Sequence, residues 1–185
     1  MTELPDPVAR ELESHDAFEP AADAANAYRL TTTVFDATVT ADPAEGKRDG
    51  EFTVTVVLPT LDAAVADESV ADVVEDGWFE TLERRLQDVF GVAHTSTHDE
   101  PGVERGADEV TVTLEYLAWD AGEGVEDAKA LIEFVEGTFA QGIIPGYEYR
   151  GPAATLLENA QDRGQQAAEG GEDGGPGGNS GGMPM

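Results

Sequence analysis

Glu51-Phe52-Thr53-Val54-Thr55-Val56-Val57-Leu58 is the stretch that decides the fold. Phe52, Val54, Val56 and Leu58 share one parity, while Thr53 and Thr55 share the other. That is a β-strand with one buried face and one wetted face. Upstream, Asp42-Pro43-Ala44-Glu45-Gly46-Lys47-Arg48-Asp49-Gly50 has the composition of a turn. Before it, Tyr28 to Val39 is rich in Thr and β-branched residues and reads as a long strand. Its apolar parity changes between Val34 and Phe35, which a bulge or sharp bend would reconcile. The two strands and their turn make a β-hairpin.

The same pattern returns downstream. Glu51 to Ala63 aligns without gaps on Glu109 to Ala121, with identity at the Glu, Thr-Val-Thr and Asp-Ala positions. Each segment leads to a Val-Glu-Asp helix start, at Val74-Glu75-Asp76 and at Val125-Glu126-Asp127. A duplicated ββα unit explains the echo. So does convergence of amphipathic strands in an acidic chain, and the sequence leaves both open. Val92 to His98 can form the partner strand of the second hairpin. His98 to Asp108, with Pro101, Gly102 and Gly106, reads as a polar turn.

Helices complete the pattern. Asp6-Pro7-Val8 opens one, with Asp6 as cap and Pro7 at the first helical position. Val74, Trp78, Leu82, Leu86 and Val89 form an apolar stripe on a second, ending at Gly91. A third runs from about Val125 to Ala140, and a weaker one opens at Pro152. The order is α-ββ-α-ββ-α, an α+β fold with helices covering an antiparallel sheet. Residues 1–167 form one domain in this reading, and 168–185 a disordered glycine-rich tail. That tail loosely resembles the glycine-methionine termini of chaperonin subunits.

Composition bounds the chemistry. Thirty-nine Asp and Glu face ten Lys and Arg, for a formal net charge of −29. A shell this acidic repels itself in dilute buffer and is screened in molar salt, where the Debye length is about 3 Å. The expectation is a soluble, cytoplasmic protein adapted to high salt. The absence of cysteine excludes thiol catalysis and thiolate metal sites. No signal peptide or membrane span is read, and no phosphate-binding glycine motif or nucleophile elbow occurs.

Three sets of residues carry candidate chemistry. His94 and His98, beside Asp99 and Glu100, suit a metal or acid–base site. On a strand they would lie about 13 Å apart, too far to share one ion, and a polar loop running out of the sheet is the favoured reading. Arg84-Arg85 is a possible nucleic-acid contact, disfavoured by the lack of a basic patch. Tyr147, Tyr149 and Arg150, in the loop from Ile143 to Gly151, are candidate binding residues, as is Trp119. Their bland alternatives are a strapped connector and core packing. A Thr ladder of Thr31, Thr33, Thr53, Thr55, Thr111 and Thr113 could meet a partner or simply be solvated. No catalytic residue, metal ligand or cofactor is assigned.

With the Thr-Val-Thr strands, the Trp78-Phe79 helix and the Ile144-Pro145-Gly146-Tyr147 loop, the body over about residues 1–165 resembles a haloarchaeal family of small acidic proteins of unknown function. The resemblance brings no activity with it. The element order is also similar to the secretion-chaperone-like fold, whose members commonly dimerise and bind other proteins. The leading expectation is a non-enzymatic protein-binding or regulatory protein, a homodimer, acting on a protein partner. An enzyme using His94 or His98 is the alternative, and nucleic-acid binding through Arg84 and Arg85 the second.

Overall fold

The alternation at Phe52–Leu58 extends into a ten-residue strand, Gly50–Pro59, at the centre of a six-stranded antiparallel sheet. The computed structural model describes residues 3–170. In chain order the strands are β1 (Phe18–Pro20), β2 (Tyr28–Leu30), β3 (Asp36–Asp42), β4 (Gly50–Pro59), β5 (Gly102–Arg105) and β6 (Glu109–Ala118). Their order across the sheet is β1-β2-β3-β4-β6-β5. The helices are α1 (Asp6–Ser14), α2 (Leu61–Ala64), α3 (Asp72–Leu86), α4 (Ala121–Gln141) and α5 (Gly151–Gly170), with a 3-10 turn at Val89–Val92. The expected α+β class and antiparallel sheet are what the chain adopts. The last helix runs to Gly170, past the point where the tail was expected to begin, and residues 171–185 of that tail lie outside the described residues.

One face of the sheet is buried and one is open. Phe52, Val54, Val56 and Leu58 of β4 and Val110, Val112, Leu114 and Tyr116 of β6 are buried under the helices. Thr53, Thr55, Val57, Thr111, Thr113 and Leu117 are half-buried on the other side. The central helix α4 comes closest at Gly124, where a Cβ would sit 2.5 Å from the Phe52 ring and 2.8 Å from the Ala118 Cβ. Only glycine permits that approach. The Tyr116 hydroxyl donates to the Gly124 carbonyl at 2.6 Å, and Phe52 stacks on Tyr116 with centroids 5.2 Å apart.

The echo segments turn out to be neighbours. Strands β4 and β6 pair along their length, and Thr55 faces Thr113, its own counterpart in the echo. A local two-fold axis therefore passes between them, with β3 flanking β4 and β5 flanking β6. Each central strand runs into a capped helix: Thr60 accepts from the Ala63 N–H, and Asp120 from the Glu123 N–H. The halves then differ, because Val65–Ala71 interrupts the first helix while α4 continues unbroken.

Several local expectations are corrected. Tyr28–Val39 is not one bent strand but a hairpin, with Tyr28 facing Val39 and Arg29 facing Thr38. The parity change at Val34-Phe35 marks its tip. There Glu136 of α4 accepts from the Thr33 hydroxyl and the Val34 N–H, and Phe35 packs edge-on against Phe139. The Thr ladder consequently uses Thr38 and Thr40 rather than Thr31 and Thr33. The strand expected at Val92–His98 is replaced by the 3-10 turn and an extended segment touching β6 through a single His98–Tyr116 bridge. The second hairpin takes its outer strand, β5, from the expected polar turn. Helix α4 starts four residues before Val125, and Asp6 lies inside α1 without a side-chain cap bond, since Pro5 is the cap residue.

Candidate functional site

Trp119 follows β6 and continues the open-face alternation of Glu115 and Leu117. It is 60% exposed, which is unusual for so large an apolar side chain in this protein. The Arg48 guanidinium, from the turn between β3 and β4, lies 5.2 Å from the centre of its ring. That is cation–π distance. Asp49 secures the corner: its N–H donates to the Ala118 carbonyl, and its carboxylate accepts from the Ala121 N–H at 2.8 Å. Trp119 is thus presented on a braced corner rather than on a free loop.

A small cavity of about 90 Å³ lies beside this corner, lined by Glu51, Thr97, Asp99, Glu115 and Leu117 together with His98 and Tyr116. Its walls are held by backbone bonds, from the Leu117 N–H to the Thr97 carbonyl at 2.9 Å and from the Asp99 N–H to the Glu115 carbonyl at 3.0 Å. The His98 ring stacks on Phe90 with centroids 3.8 Å apart, and its Nδ1 lies 3.0 Å from the Asp99 carbonyl. A carbonyl oxygen only accepts, so Nδ1 is the donor in that contact.

His94 is placed differently. Asp127, 1% exposed on α4, accepts from the His94 N–H at 2.7 Å, from its Nδ1–H at 2.8 Å and from the Thr95 N–H at 3.0 Å. A buried carboxylate must find such donors. Here they lock the start of the edge segment, which explains why His94 and Thr95 do not donate to a strand. The hydrogen bond and charge of Asp127 raise the His94 pKa, and burial, with the Asp127 charge as a lesser cause, pushes the Tyr116 hydroxyl well above the phenol range. The two histidines are therefore held by separate partners. Among the described residues, no three His, Asp or Glu side chains converge as a metal site.

The loop residues are tied into the chain. The Tyr149 hydroxyl accepts from the Ile144 N–H at 2.8 Å and donates to its carbonyl at 3.1 Å, and burial raises its pKa. Tyr149 also bridges to Val65, and Arg150 donates through Nε to the Ala63 carbonyl at 2.9 Å. Tyr147 is half-buried against the core. Arg84 and Arg85 occupy the last turn of α3, where positive charge is favoured by the helix dipole. Arg85 borders a groove whose other lining residues, Asp88, Phe134, Gly137, Thr138 and Gln141, include no base. The structure thus brings Trp119 together with Arg48 and Leu117, residues the sequence reading did not single out. The signal available for Leu117 was its parity with Trp119.

The family of unknown function DUF5813 matches residues 13–159. The chain belongs to that family. No curated protein and no solved structure matches it. The match runs from the end of α1 into α5 and carries no activity with it. No helix among the described residues is long and apolar enough to cross a membrane.

Proposed function

We propose that the chain is a non-enzymatic protein-binding protein that works in concentrated salt, using the open face of its sheet as the contact surface. The carrying observation is Trp119, exposed and braced at the corner of that face, with Arg48 over its ring and Leu117 beside it. Tryptophan and arginine are the residues most enriched among interface hot spots. The rest of the face supports the reading. Thr38, Thr53, Thr55, Thr111 and Thr113 form an uncharged field in a chain of net charge −29. Interfaces likewise keep charge out of their centre and at the rim.

The salt setting follows from that charge. A cytoplasm of molar potassium chloride, as the haloarchaeal resemblance implies, screens the self-repulsion that dilute buffer would leave. Affinity capture from native extract in molar potassium chloride tests the function, with wild type and Trp119→Ala side by side. The wild type is expected to retain a specific protein partner, or a second copy of itself by light scattering. Trp119→Ala is expected to lose it by about tenfold or more, the scale of a hot-spot truncation. Equal capture by both proteins, or a wild type that stays monomeric and partnerless, overturns the proposal.

A further inference from the structure

We draw no further inference here: the strongest candidate, the open Thr-lined face of the sheet across β3, β4, β6 and β5, is the contact surface already proposed, and nothing in the structure shows what covers it.

Discussion

At Gly124 the side chain is a single hydrogen because α4 rests directly on Phe52 and Ala118. Gly124→Ala forces either the helix or the Phe52–Tyr116 stack to move. It should lower stability by about 1–3 kcal/mol, read as a lower midpoint in a urea titration at fixed molar salt. Asp127 offers a second residue-scale test, through His94. Its raised pKa means that the folded protein holds the proton more tightly than the unfolded chain does. This stabilisation is fully present below the ordinary histidine value of 6.5 and is lost as pH rises through the higher folded value. The wild type should therefore lose ground to His94→Gln between pH 6 and pH 9 in paired unfolding titrations, and parallel curves would contradict the assignment. Neither feature was legible in the chain. His94 and Asp127 are 33 residues apart, and nothing local marks Asp127 among thirty-nine carboxylates as a buried one.

At the scale of elements, regular periodicity was readable and competition between backbone partners was not. The alternation in β4 and β6 and the apolar stripes of α3 and α4 announced themselves because each buries one face along its whole length. The Val92–His98 strand misled because its first amides are taken by Asp127 from a distant helix. The three-residue strands β1 and β2 are too short to show a period. The loop from Gly142 to Arg150 was legible as irregular, but its role depends on bonds to Ala63, Ala64 and Val65 that sequence does not display. Tyr149→Phe removes both hydroxyl bonds to Ile144 and should cost about 1 kcal/mol of stability. Partner capture should be unchanged, because the strap lies away from the Trp119 corner; a loss of capture without a loss of stability would instead make the loop a contact surface.

For the whole molecule, the net charge of −29 sets the response to salt. Raising potassium chloride from dilute to molar should raise the unfolding midpoint steeply at first and then level off as the Debye length falls to about 3 Å. A midpoint independent of salt would show that the carboxylates are already compensated. The overall class was readable because the pattern of buried faces survives whatever covers the polar ones. The contact surface was not, because Arg48 meets Trp119 only once β3 and β6 stand two places apart in the same sheet. The pairing of Thr55 with Thr113 has a kinetic side. Each outer hairpin closes a short turn, whereas the seam between β4 and β6 joins strands separated in the chain by α2, α3, the 3-10 turn and β5. Closing the longer segment costs more chain entropy, so the hairpins are expected to form early and the seam to zip last. Truncating a seam residue should then mainly speed unfolding, while truncating a turn residue between β3 and β4 should slow folding.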